Sequence, residues 1–139
     1  MTGAGQFKYT LDASALLALM LGEPGEEMVR PILDRSCIHC INVAEVVNKL
    51  IRAGVPPDEA FASVEELHLP TIQEFSLRQA GDCGQLIAET KKQGLGLGDC
   101  VCLTVSAWLG ATAVTAERLW KKLEGFKINR IALSIQLIR

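Results

Sequence analysis

Short apolar runs alternate along this chain with longer segments whose apolar residues recur at helical spacing. The short runs are too brief for buried helices, so they predict strands. These predicted strands cover residues 7–11, 37–41, 69–72 and 112–115. The longer segments place apolar residues three or four positions apart, which is typical of helices with one buried face. These predicted helices cover residues 14–21, 26–33, 42–53, 58–67, 76–93, 100–109 and 117–123.

Strands that alternate with helices pair in parallel and bury their sheet between layers of helices. The pattern therefore predicts an α/β fold, built as a three-layer α/β/α sandwich. Residues 128–138 are apolar and partly alternating, and they close the chain. Residues 1–6 have nothing to bury and are expected to form a flexible tail. With 139 residues in all, we expect residues 7–139 to form a single domain.

Composition narrows the class of protein. Hydrophobic residues make up 49% of the chain and charged residues 22%, as in a compact protein with a rich core. The formal net charge of −2 provides no general attraction for nucleic acid, so RNA binding would need a local basic patch or bound metal ions. Five cysteines cannot all pair within one chain, and we expect reduced thiols in a cytoplasmic protein. The apolar run at 13–21 is too short to cross a bilayer, so no membrane association is expected.

Four acidic residues stand where the chain enters a predicted helix, at Asp12, Glu45, Asp99 and Glu117. In a parallel sheet such junctions lie along one edge, where α/β folds bind their ligands. Carboxylates gathered there raise one another's pKa values unless a cation is present. Oxygen ligands without an accompanying histidine favour Mg²⁺ or Mn²⁺ over zinc. The pattern therefore predicts metal-dependent phosphoryl chemistry, with a bound water as nucleophile.

Each acid also has a purely structural interpretation. Asn42 and Glu45 have the spacing of a capping box, in which the acid accepts a hydrogen bond from a backbone N–H. Asp12 and Asp99 precede apolar helices and could cap them. The expected convergence of all four acids at one edge is what favours a functional site over helix capping.

Four motifs in order resemble those of PIN domains, and specifically of the VapC-type toxins of bacterial toxin–antitoxin pairs. The motifs are LDASALLA at 11–18, NVAEV at 42–46, GLGLGD at 94–99 and TAERLW at 115–120. The resemblance implies a parallel sheet of about five strands flanked by helices, and a Mg²⁺- or Mn²⁺-dependent endoribonuclease. It also implies an RNA substrate, a cognate antitoxin protein and a homodimer.

The resemblance assigns roles to residues of this chain. Asp12, Glu45 and Asp99 would hold the metal ion and activate water, and Ser14, Asn42 and Thr115 would support them by hydrogen bonds. Glu117 would be the fourth metal ligand, although the family more often has Asp there. Cys100 is a second departure, because the family commonly carries Arg after the third acid. Arg118, beside the fourth acid, is expected to contact an RNA phosphate.

Two other functions compete with this one. Glu117 permits a PIN-like domain that binds RNA or a partner without cleaving. A signalling receiver or a phosphatase that uses Asp12 to accept a phosphoryl group is disfavoured. A receiver would need paired acids near the first strand and a lysine after the last one, and such a phosphatase would need a second Asp where Ser14 stands.

Several other features receive structural interpretations. The Cys37–Cys40 pair does not combine with Cys100 and Cys102 into a plausible zinc site, because a CxC at a helix start directs its thiols apart. We therefore expect these cysteines to pack as small apolar side chains. His39 and His68 are expected to be structural or surface residues, and Trp120 to pack in the core. The glycines of 94–98 match no phosphate-binding loop and predict a flexible connection. The apolar faces of the helices at 14–21 and 43–53 are expected to bind the antitoxin or a second copy.

Overall fold

A computed structural model describes residues 6–139 of the chain. Its strands are β1 (Tyr9–Leu11), β2 (Ser36–His39), β3 (Thr71–Ile72), β4 (Thr112–Thr115), β5 (Lys127–Ile128), β6 (Ile131–Ala132) and β7 (Ile135–Leu137). Its α-helices are α1 (Ala13–Leu21), α2 (Glu26–Val29), α3 (Cys40–Arg52), α4 (Pro57–Glu65), α5 (Leu77–Glu89) and α6 (Leu97–Leu109). Short 3₁₀ helices cover Arg30–Arg35, Lys91–Gln93 and Arg118–Leu123.

Five strands form one sheet in the order β3-β2-β1-β4-β7, and every neighbouring pair in it is parallel. The strands β5 and β6 form a separate antiparallel hairpin. β1 lies at the centre of the five-stranded sheet, where Leu11 is in register with Ile38 of β2 and Val114 of β4. The predicted parallel α/β/α sandwich is confirmed.

The core has two halves, one on each face of the sheet. Leu11, Ile38 and Val114 pack with α1, α3 and α4 on one face. Cys37 and Ala113, one position back along β2 and β4, pack with α5 and α6 on the other. Successive side chains of a strand point to opposite faces, and helices cover both faces of the sheet. The central strands are therefore buried on both sides, and their polar residues Thr10, Ser36, His39 and Thr115 are buried with them.

Helix α6 is the most deeply buried helix, as its nearly continuous apolar sequence predicts. Its two buried hydroxyl groups form hydrogen bonds within the helix. Thr104 donates to the Cys100 carbonyl and Ser106 to the Cys102 carbonyl, both at 2.7 Å. Because no polar group of these side chains remains unpaired, the helix can pack on the sheet along its whole length. It brings Asp99, near its start, to the edge of the sheet.

The chain enters two helices earlier than the sequence pattern predicts. β2 ends at His39 and α3 begins at Cys40, because the His39 Nδ1 accepts a hydrogen bond from the Ile41 amide at 3.1 Å and caps the helix. The other ring nitrogen of His39 donates to the Glu74 carbonyl at 3.1 Å, which makes this buried histidine structural. α6 begins at Leu97, so the predicted flexible connection through residue 98 is wrong in its extent.

Other expectations concern the ends of the chain, the cysteines and the tryptophan. The predicted tail at 1–6 lies, except for residue 6, outside the described residues. All five cysteines are free thiols, and all but Cys40 are buried. Trp120 is buried in the core, as predicted. In the part of the chain that the structure describes, no helix combines the length and the apolar character needed to cross a bilayer.

Candidate active site

Asp12 follows directly on the central strand β1 and caps helix α1. Its Oδ1 accepts hydrogen bonds from the Ala15 amide at 2.8 Å and from the Ser14 hydroxyl at 2.7 Å. Its Oδ2 accepts from the Thr115 hydroxyl at 2.6 Å and from Ser14 at 2.9 Å. The side chain therefore lies buried, with both oxygens engaged. Asp12 is at once the helix cap and the first acid of the edge.

Burial dominates the protonation of Asp12. Desolvation raises its pKa to about 6, against the lowering effect of the hydrogen bonds from Thr115, Ala15 and Ser14. The charge of Asp99 raises the pKa further, so the two carboxyl groups interact. A carboxylate in this position loses hydration without gaining a counter-charge, and a nearby cation would reverse that cost.

Thr115 and Ser14 tie the ends of β4 and β1 together around Asp12. Their hydroxyl oxygens lie 3.2 Å apart. Ser14 also accepts a hydrogen bond from the Ala116 amide, and Thr115 one from the Glu117 amide, both at 2.9 Å. The two residues expected to support Asp12 therefore contact it directly. Their oxygens also fix the backbone of the segment that carries Glu117.

Asn42 links two helices and orients Glu45. Its Nδ2 donates to Glu45 Oε1 at 2.8 Å and to the Gly98 carbonyl of α6 at 3.0 Å. The side chain is fully buried, and its Oδ1 has no hydrogen-bond partner among residues 6–139. The capping-box interpretation of Asn42 and Glu45 is wrong, because His39 is the residue that caps α3.

Gly98 is a residue of the candidate site that the sequence analysis did not identify. A Cβ on residue 98 would collide with the Glu45 carboxylate. Glycine therefore lets the start of α6 approach Glu45 of α3 closely. Asn42 joins the same two groups, because it donates hydrogen bonds to Glu45 and to the Gly98 carbonyl. The available signal was a glycine directly before an acid at the start of an apolar segment, because glycine inside a helix often marks a close packing contact.

Asp99 lies in the first turn of α6 and interacts electrostatically with two of the other acids. Its Oδ2 accepts a hydrogen bond from the Gly96 amide at 3.0 Å, so it caps the helix from within rather than from the cap position. Desolvation raises the pKa of Asp99, the Gly96 hydrogen bond lowers it, Glu45 raises it and Lys49 lowers it. Asp99 therefore interacts with Asp12 on one side and with Glu45 on the other.

A pocket of about 260 Å³ opens beside these acids, and we call it the acid pocket. Its lining includes Glu45, Asp99, Glu117, Lys49, Leu95 and Leu119. Glu117 and Arg118 are both exposed, and Arg118 is absent from the lining. The buried Asp12 does not line the pocket either. Lys49 is a second residue that the sequence analysis missed, since its only signal was its position one helical turn after Glu45.

The donor set suits a hard divalent cation in its chemistry, since every acid at the edge offers carboxylate oxygens. Asp12 interacts with Asp99, and Asp99 with Glu45. Within residues 6–139, however, no three Asp, Glu, His or Cys side chains come together closely enough to hold an ion. A complete set of ligands therefore requires side chains to move from these positions.

Comparison with solved structures shows how widely this fold is shared. A chain from the DNA-bound VapBC structure of Salmonella typhimurium superposes with a TM-score of 0.71 at 21% identity, over 96% of this chain and 99% of that one. VapBC-1 of nontypeable Haemophilus influenzae gives 0.68 at 19% identity, over 94% and 97% of the two chains. VapBC-5 of Mycobacterium tuberculosis gives 0.62 at 18%, over 95% and 98%. At identities this low, the superpositions show that the fold is shared and nothing further.

The sequence itself shows the family. No curated protein sequence matches the chain. A family model of the PIN domain does match, over residues 9–125, and that range contains all four acids. The chain belongs to the PIN domain family.

Proposed function

We propose that this protein is a metal-dependent endoribonuclease that acts as the toxin of a toxin–antitoxin pair. The observation that supports it most is the buried Asp12, which interacts with Asp99 at the edge where α/β folds bind ligands. Capping α1 explains the hydrogen bonds of Asp12 but does not require a second carboxylate close enough to raise its pKa. A site that binds a divalent cation does benefit from such a pair.

The residues at this edge of the sheet have two roles, because some would hold the metal ion and others orient those ligands. Asp12, Asp99 and Glu45 would hold Mg²⁺ or Mn²⁺, which supplies a bound water of lowered pKa and stabilises charge at the phosphate. Thr115 and Ser14 orient Asp12, and Asn42 orients Glu45. Glu117 is exposed and longer by one methylene than Asp, so its carboxylate can be drawn in from solvent.

An antitoxin would bind an apolar groove that shares helix α3 with the site. A groove of about 600 Å³ lies between α3, α4 and β3, lined by Val43, Phe61, Val64 and Leu69 among others. Phe61 is 52% exposed, so this groove offers apolar surface that a partner would bury. The fold is also shared with chains of VapBC toxin–antitoxin complexes. The helix at 14–21, which was also expected to bind a partner, can contribute little to such a surface. Most of α1 packs inside the core, and Leu21 is its one exposed residue.

A homodimer is also part of the proposal, and it would use the exposed apolar residues of α3, Ile41 and Ile51. Sedimentation equilibrium of the purified chain tests it directly. A monomer at micromolar concentration would contradict it.

The decisive experiment is RNA cleavage by purified protein freed of any partner. Cleavage of a broad RNA panel is measured with Mn²⁺, with EDTA, and with the Asp12→Asn variant. Asp34→Asn is the matched control, since the Asp34 side chain is 85% exposed and distant in sequence from the acid motifs. We expect cleavage that requires Mn²⁺, persists in Asp34→Asn and disappears in Asp12→Asn. Cleavage that survives both EDTA and Asp12→Asn would contradict the proposal.

One observation favours a second function. Since no three of the described acids converge, the domain could bind RNA or a protein partner without hydrolysis. RNA binding without turnover in Mg²⁺ or Mn²⁺ would support that function, and metal-dependent turnover would eliminate it.

A further inference from the structure

The acid pocket contains one basic side chain among its lining residues, Lys49. It lies on α3 four residues after Glu45, so the two side chains share one face of the helix. Across the pocket lie Asp99 of α6 and Glu117 after β4. The structure therefore places one ammonium group among three carboxylates.

The ammonium group of Lys49 is available to a ligand. Of the ion pairs formed by residues 6–139, all at 4.0 Å or less, none includes Lys49. The side chain is exposed, although acids line the same pocket. A lysine that is near acids but not paired with them keeps its donors free for an incoming anion.

An RNA substrate needs such a group at this position. Each phosphate that approaches the pocket meets the carboxylates of Glu45, Asp99 and Glu117. The net charge of −2 means that the rest of the protein does not compensate. A bound metal ion or a basic side chain at the pocket must therefore supply the attraction for the backbone, and Lys49 is the basic side chain among the lining residues.

We propose that Lys49 binds the backbone phosphate of the RNA nucleotide that enters the acid pocket and so positions that nucleotide against the acids. This inference rests on the proposed nuclease function. The pocket volume of about 260 Å³ lies below the ~300–1,000 Å³ of pockets that enclose small-molecule ligands, so the pocket can receive only a small part of a polynucleotide, such as one phosphate group and its neighbouring atoms. Arg118, which the sequence suggested for this contact, lies outside the pocket lining.

The first test measures RNA binding rather than cleavage. Fluorescence anisotropy of a labelled single-stranded RNA of mixed sequence is recorded in Ca²⁺, over a range of salt concentrations. Lys49→Met is compared with Lys8→Met, which removes the same charge from an exposed lysine at the end of β1 opposite Asp12, and with Lys49→Arg. We expect Lys49→Met to weaken binding about tenfold and to reduce the salt slope by about 1. Lys8→Met should stay within about twofold of the wild type, and Lys49→Arg should restore the salt slope.

The outcomes separate this inference from the function on which it rests. Equal losses in Lys49→Met and Lys8→Met, or no loss in Lys49→Met, would overturn it even if the wild type cleaves RNA. A wild type that binds RNA through Lys49 but never cleaves would support the inference and refute the nuclease. A wild type that binds no RNA would refute both. Lys49 is exposed, so thermal unfolding should show all three variants folded.

Discussion

Asp12 and Glu117 follow adjacent central strands, yet their surroundings are opposite. Asp12 comes immediately after β1, is buried, and receives hydrogen bonds on both oxygens. Glu117 comes two residues after β4 and is exposed, and its hydrogen bonds are made by its backbone, with Thr115 and Trp120, rather than by its carboxylate. The comparison shows that one edge of a sheet can carry a fixed carboxylate and a movable one. We expect the fixed one to define the site and the movable one to adjust it.

The largest expected effect is a difference in RNA cleavage rate between variants of these two acids. Asp12→Asn should lower RNA cleavage by about a thousandfold or more, equivalent to about 4 kcal/mol in the barrier. Glu117→Gln should lower it only about tenfold, because an exposed side chain can be replaced in part by water. Single-turnover cleavage rates in Mn²⁺ measure both. Equal losses in the two variants would show that burial does not distinguish their roles.

Stability against pH tests the cost of burying Asp12. Its pKa is raised to about 6 in the folded state, so the folded protein binds this proton more tightly than the unfolded chain. The stabilisation is complete below pH 4 and is lost as the pH rises through about 6, by about 3 kcal/mol in metal-free protein. Asp12→Asn should lack this loss. Urea unfolding of both proteins in EDTA from pH 4 to pH 8 measures the difference, and parallel pH profiles would contradict the expectation.

The hydrogen bond from Thr115 should matter to activity more than to folding. Thr115→Val keeps the shape of the side chain but removes its 2.6 Å bond to Asp12. We expect cleavage to fall about ten- to a hundredfold, as when a group that orients a metal ligand is lost. Thr112→Val is the matched control on the same strand, because Thr112 contacts only the exposed Ser134 hydroxyl through its side chain. Comparable rate losses in the two variants would contradict a special role for Thr115.

The smallest expected effect concerns the approach of α6 to α3. Gly98→Ala places a methyl group against the Glu45 carboxylate and should destabilise the protein by about 1–2 kcal/mol. Gly84→Ala, in an open position of α5, should instead stabilise it by about 0.5–1 kcal/mol. Thermal unfolding of both variants gives the sign of each change. A stabilising Gly98→Ala would show that Glu45 can move away without cost.

The sequence predicted the features that follow from local pattern, such as the position of Asp12. It did not predict the contacts that depend on how closely two helices pack. Asp12 could be placed because a strand followed at once by a helix puts the junction residue at the sheet edge. Gly98 and Lys49 had only weak sequence signals, because their contacts with the acids depend on the distance between α3 and α6. That distance is set by tertiary packing and by the bridge from Asn42 to the Gly98 carbonyl. The start of α3 was misplaced because a histidine cap is a weak sequence signal compared with Asn42.

The parallel register of the central strands limits how this protein can vary. Leu11, Ile38 and Val114 face one side of the sheet together, and Asp12 follows them at the edge. Side chains of a strand alternate with a period of two, so inserting or deleting one residue within β1 would reverse the face of every residue before Asp12. Such a chain must either bury the wrong face or displace Asp12 from Thr115. Length changes should therefore be tolerated in the surface loops and excluded from the three residues that precede the acid.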